Sequence, residues 1–146
     1  MTTTVRNAHV DDARAIAALS GQLGYAATEQ QMAERLSLLA DDAHGAAFVA
    51  EVDADVVGWI AVARRLTIEY GITFEITGLV VDASRRRTGA GRLLVQAAEQ
   101  WAQAHGGDAL VVRSNAAREL SHVFYEGIGF TRTKTQHVYR RDIDRG

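Results

Sequence analysis

Val81-Asp82-Ala83-Ser84-Arg85-Arg86-Arg87-Thr88-Gly89-Ala90-Gly91-Arg92 runs from a β-branched strand end, through a glycine-bearing turn, into a helix. A helix start leaves backbone N–H groups without intrahelical acceptors and carries positive dipole potential, so an anion suits it. Glycines permit close approach of a ligand, and Arg85, Arg86, Arg87 and Arg92 concentrate positive charge on a chain whose formal net charge is -2. A phosphate-bearing ligand fits this turn. A solvated basic turn with glycine at a helix start fits the same residues. A Walker loop would need Gly-Lys-Ser or Gly-Lys-Thr, which is absent, and a Rossmann fingerprint would want Gly or Ala at Leu94.

Outward from the turn, Phe74 to Val81 reads as a strand. Its run Leu79-Val80-Val81 is apolar without alternation, which predicts burial on both faces near the sheet centre. Downstream, Leu94, Ala97, Ala98 and Trp101 recur at helical spacing until His105-Gly106-Gly107, and Ala109 to Arg113 is a short strand. Leu120, Phe124 and Ile128, four apart, predict a last helix from about Arg118. Phe130 to Thr133 and His137 to Arg141 read as closing strands.

Upstream, residues 3–9 read as a strand, and Asp11 as the N-cap of a helix carrying Ile16, Leu19 and Leu23 on one face. Thr28 and Gln31 have capping-box spacing ahead of Met32, Leu36 and Leu39. Ala46 to Val52 and Val56 to Arg65, separated by Asp53-Ala54-Asp55, predict a hairpin. The order predicts an α/β fold with a mixed sheet flanked by helices, and the crossover from Val81 to Ala109 is a parallel βαβ candidate. With 146 residues, 47% of them hydrophobic, and no repeat or linker, one domain spanning 1–146 is expected.

Zero cysteines exclude a thiolate nucleophile and a disulfide framework, and fit a cytoplasmic location. The apolar runs fall short of a membrane span, the N-terminus lacks a signal core, and the charge balance suggests neither nucleic acid nor membrane as partner. His9, His44, His105, His122 and His137 lack metal-ligand spacing, so no metal is expected. Trp59 and Trp101 read as core residues. Glu69 and Tyr70 precede the strand at Phe74, where they suit either a plain loop or contact with a substrate.

Arg86-Arg87-Thr88-Gly89-Ala90-Gly91 resembles the Gln/Arg-x-x-Gly-x-Gly/Ala signature of the GNAT superfamily of acetyl-CoA-dependent acyltransferases. Leu79-Val80-Val81 precedes it as that family's central strand does. Phe124-Tyr125-Glu126-Gly127-Ile128-Gly129-Phe130 is similar to the family's Phe-Tyr-x-x-x-Gly-Phe ending. The resemblance implies a mostly antiparallel sheet with an opening between the strands at 74–81 and 109–113. The pantetheine arm of acetyl-CoA would lie along Leu79, Val80 and Val81, and its pyrophosphate on Arg86, Arg87, Thr88, Gly89, Ala90, Gly91 and Arg92. Ala83 stands where the family often has proline, and Arg118, a further cofactor-contact candidate, where it often has asparagine.

The activity implied is direct transfer of acetyl from acetyl-CoA to a primary amine of a small molecule. An alkylammonium of pKa roughly 10.4 costs about 4.6 kcal/mol to deprotonate at pH 7, so a base is useful. Glu75, eleven positions before Arg86, resembles the glutamate some family members use, acting directly or through water; a solvent-facing strand-end carboxylate is the plainer reading. Tyr125 takes the place of the tyrosine that protonates the departing thiolate, and an aromatic packed at a helix end is its plainer reading. His122, three residues before it, could line the site or be an ordinary helix residue. A backbone N–H near Leu79 would stabilise the oxyanion. Rivals are a noncatalytic acyl-CoA sensor and an enzyme acting on a protein or peptide amine. A homodimer is an expectation at the level of the family.

Overall fold

The computed structural model describes residues 2–86, 88–115 and 118–146. The chain divides into two compact units, residues 1–113 and 114–146. The first carries β1 (Thr3–Asn7), α1 (Ala13–Gly21), α2 (Glu29–Ala40), β2 (Gly45–Val52), β3 (Asp55–Thr67), β4 (Gly71–Val81), α3 (Ala90–Ala104) and β5 (Val111–Val112); the second carries α4 (Glu119–Gly127).

The sheet has the order β1-β2-β3-β4-β5. Pairing is antiparallel as far as β4, and parallel between β4 and β5. This is the mixed, mostly antiparallel sheet expected. β3, not β4, is central, and of Leu79, Val80 and Val81 only Val80 is buried; the others are half-buried. The unalternating apolar run therefore belongs to a strand that loses its β5 neighbour partway along, not to one enclosed on both sides.

Helix α3 crosses one face of the sheet. Its buried residues Ala90, Leu94, Ala98 and Ala102 recur every fourth position and form one ridge. Leu94, fully buried, lies over Gly58, where an added Cβ would stand 3.1 Å from its Cδ1. Burial of such a side chain contributes about 1.5–3 kcal/mol. Trp101 packs edge-on against Phe74 and stacks on His105, so it is a half-buried margin of the core. Helices α1 and α2 serve the opposite face. There the indole of Trp59 covers Gly78, whose absent Cβ would fall 2.5 Å from Cη2. The Trp59 N–H is buried without a partner among the described residues.

Local signals placed several boundaries. Thr28 accepts from the Gln31 N–H while the Gln31 side chain accepts from the Thr28 N–H, as the capping-box spacing requires. Asp11 is not the cap expected. His9 and Asp12 form a box over the turn Val10–Asp12, and α1 begins after Asp12. Asp12 is buried against Arg6, whose guanidinium donates to both carboxylate oxygens at 2.8 Å and holds the carboxyl below its ordinary range. That contribution to stability is present above the usual carboxylate pKa and is lost as pH falls through the depressed value.

The β2–β3 connection is a two-residue turn, tighter than the three-residue spacer suggested, with Val52 paired to Asp55 and positive φ at Asp53 (51°) and Ala54 (68°). Alanine pays about 1 kcal/mol for that conformation, whereas glycine does not. Ala54→Gly is expected to stabilise the protein by about 0.5–1 kcal/mol, read as an upward shift of the urea midpoint at unchanged slope.

In the second unit α4 ends on Gly129 (φ 100°). The Phe130 N–H donates to Tyr125 O at 3.0 Å and the Gly129 N–H to Glu126 O at 3.3 Å. This is a Schellman cap, and the Phe130 ring meets the Tyr125 ring edge-on at 5.6 Å. The strands expected at 130–133 and 137–141 are not formed: among the described residues no helix or strand follows α4, and Val138, Tyr139 and Ile143 are exposed. Alternation alone makes no strand without an edge to pair with.

Candidate active site

The site lies where β4 outruns β5. The two strands pair only at Glu75–Val111 and Ile76–Val112, so from Thr77 to Val81 one edge of β4 has no partner strand among the described residues. Thr77 is also skipped in the register between β3 and β4, which passes from Ala61–Gly78 to Val62–Ile76. This bulge re-aims the strand at the point where its outer edge becomes free.

Beyond Val81, Asp82 accepts from the Ser84 N–H (3.0 Å) and hydroxyl (2.9 Å), bonds that hold its carboxyl below the ordinary range. The Ala83 N–H is held by Gln22 Oε1 at 3.1 Å. Thr88 donates its hydroxyl to Arg85 O (2.8 Å), and its own carbonyl accepts from Thr3 (3.0 Å). The turn is thus braced by side chains that leave its helix end alone.

Gly89 has φ 79° and no side-chain cap, and a Cβ built there meets nothing within 4 Å. The first intrahelical bond runs from the Leu93 N–H to Gly89 O, so the N–H groups of Ala90, Gly91 and Arg92 precede the ladder. Arg86 and Arg92 are exposed; Arg85 lies 3.7 Å from Asp55. Of the residues expected here, Arg87 falls outside the described ones.

Glu75 is the clearest departure from its plainer reading. It is 7% exposed, well inside β4, and each carboxylate oxygen accepts from an arginine: Oε2 from Arg65 Nη1 at 3.0 Å, Oε1 from Arg113 Nε at 2.6 Å. The register sets Glu75 beside Ala63, two residues before Arg65 on β3, while Arg113 follows β5. Sequence reasoning missed both arginines, because their separations from Glu75 carry no local signal. On that face, Ile16, Met32, Leu36, Ala47, Trp59 and Ala61 line a cavity of about 230 Å³.

In the second unit, Tyr125 is half-buried among Phe124 and Phe130, and burial raises its phenol above the ordinary value. The phenol is therefore neutral at physiological pH, as a proton donor must be. His122 contacts Asn115 O through Nε2 at 3.0 Å, and Arg118 caps α4 with its carbonyl, which accepts from the Ser121 N–H. No cluster of three His, Asp or Glu side chains suited to a metal occurs among the described residues, and no described helix is long and apolar enough to cross a membrane.

Known structures share this architecture. The aminoglycoside antibiotic 6'-N-acetyltransferase of Acinetobacter haemolyticus, solved without ligand, superposes with a TM-score of 0.83 at 18% identity, over 97% of this chain and 99% of that one. An aminoglycoside N-acetyltransferase in complex with CoA gives 0.86 at 19%, over 97% and 95%. The ribosomal-protein-alanine N-acetyltransferase of Brucella melitensis gives 0.77 at 19%, over 97% and 100%. The fold is that of an N-acetyltransferase. The model of the acetyltransferase (GNAT) family matches residues 11–130, and the chain belongs to that family. None of the curated proteins compared matches the sequence.

Proposed function

We propose that residues 1–146 act as one acetyltransferase domain that transfers acetyl from acetyl-CoA to a primary amine of a small molecule. The observation that carries this reading is the pairing of an uncapped, glycine-led helix start with the free edge of β4 immediately before it. Together they offer N–H donors for a pyrophosphate and backbone groups for an amide-bearing arm, which is the chemistry of acetyl-CoA. The cosubstrate is supported by family membership and by similar proteins solved with CoA and with a CoA-linked acetylneamine bisubstrate analogue.

Arg86, Arg87 and Arg92 supply charge at the turn, with Thr88, Gly89, Ala90 and Gly91 as its backbone. Leu79, Val80 and Val81 line the arm, and an N–H near Leu79 meets the oxyanion. Glu75 accepts the amine proton, directly or through water, once one of its arginine contacts yields. Tyr125 donates a proton to the departing thiolate, and Arg118 contributes at the start of α4. No covalent acetyl-enzyme is required.

Thiol release from acetyl-CoA, followed with a panel of amino acids, polyamines, aminoglycosides and peptides, tests the reading. Amine-dependent release is expected with a small molecule. Cofactor binding without release for every amine would make the protein a sensor, and release with peptides alone would move the acceptor to a protein.

The turn is tested separately. Gly91→Val, within α3, crowds the phosphate approach; Gly89→Val adds backbone strain at φ 79°; Arg86→Ala removes charge. Each is expected to weaken acetyl-CoA binding at least about tenfold by calorimetry on folded protein. Unchanged affinity in all three would remove the turn from the cofactor site.

A further inference from the structure

Resting on the acetyltransferase reading, we propose that the acceptor is an amino acid or a close analogue, an amine with a carboxylate a few ångströms away, and that Arg65 receives that carboxylate beside Glu75. At the root of the opening, one buried carboxylate, Glu75, accepts from two guanidinium groups, those of Arg65 and Arg113. Arg65 spends one donor there, Nη1, and its side chain is 43% exposed. A guanidinium is a planar fork made for two parallel bonds to a carboxylate, and a single-point contact leaves donors of that fork available.

The spacing names the ligand. Arg65 Nη1 stands 3.0 Å from Glu75 Oε2, so a positive and a negative anchor lie side by side. A molecule that satisfies both must present its ammonium and its carboxylate side by side as well, ammonium toward Glu75 and carboxylate toward Arg65. An α-amino acid does this. A polyamine or an aminoglycoside brings several positive charges and no anion, and leaves the remaining donors of the Arg65 fork without a carboxylate. The fold is shared with aminoglycoside acetyltransferases, but these side chains select for a different acceptor.

The occupied carboxylate of Glu75 gains a role from the same arrangement. A ligand carboxylate that takes over guanidinium donors loosens their hold on Glu75 and frees an oxygen for the amine proton. Carboxylate recognition and availability of the base are then coupled.

The test compares free amino acids with their primary amides, which keep the amine and side chain and delete only the anion. Thiol release is followed on wild type, Arg65→Gln and Arg65→Lys, and the same pairs are titrated into the CoA-bound protein by calorimetry, which reads the site without turnover. The expected result is a preference for the acid of tenfold or more in kcat/KM or in affinity, collapsing toward unity in Arg65→Gln and partly kept in Arg65→Lys. Equal handling of acid and amide in both measurements, or an acid preference that survives Arg65→Gln, overturns the proposal. Those outcomes are distinct from failure of the acetyltransferase reading, which is marked by no thiol release with any amine, polyamines and aminoglycosides included. Acid-selective binding lost in Arg65→Gln would uphold the carboxylate site even then.

Discussion

Tyr125→Phe is expected to slow acetyl transfer by roughly 10²–10⁴-fold while acetyl-CoA affinity stays nearly constant. The substitution keeps the ring contacts with Phe124 and Phe130 and deletes only the hydroxyl. It also leaves the Schellman cap intact, since that cap uses the backbone carbonyl of Tyr125. Because burial raises the phenol above its ordinary value, wild-type activity should show no loss from Tyr125 ionisation below about pH 10. The chemical step must be read by single-turnover kinetics, because slow product release would mask it. An unchanged single-turnover rate in a folded variant would leave Tyr125 as packing alone.

Glu75→Gln is expected to lower the rate by about 10²–10³-fold near pH 7, with partial recovery as pH approaches about 10. The sign follows from the acceptor: at neutral pH nearly all of the amine is protonated and needs a base, while near its own pKa about half is free. Glutamine keeps an oxygen that can accept from one arginine, so β5 retains part of its tie to β4 at this point. A loss of equal size at every pH would make Glu75 an electrostatic staple between β3, β4 and the segment after β5, with no part in proton transfer. A pH–rate series from about 6 to 10 on both proteins separates the two.

What could be read along the chain is what a few neighbouring residues decide. The capping box at Thr28 and Gln31 spans three positions, and the Asp53–Ala54 turn two. The Gly89 helix start and the cap at Gly129 are likewise settled by backbone geometry within one turn of helix. The motifs of the family are of this kind, so the fold and the glycine turn were legible before any tertiary contact was known. Asp11 against Asp12 shows the limit of local reading. Either suits a helix start, and the choice fell to Arg6, a strand residue that takes Asp12.

The amino-acid sequence by itself determined the order of elements from β1 to α4, the glycine turn and the motif tyrosine, because hydrogen bonds between near neighbours and hydrophobic periodicity specify them. Only the tertiary structure decided that, among the described residues, β4 is flanked on one side for just two register pairs, that Thr77 is bulged, and that Glu75 is buried between Arg65 and Arg113. These depend on strand register, which joins residues 10 and 38 positions apart through pairing that no local pattern encodes. The same reason left the closing strands at 130–133 and 137–141 unrealised: their alternation was local, but a strand exists only against an edge.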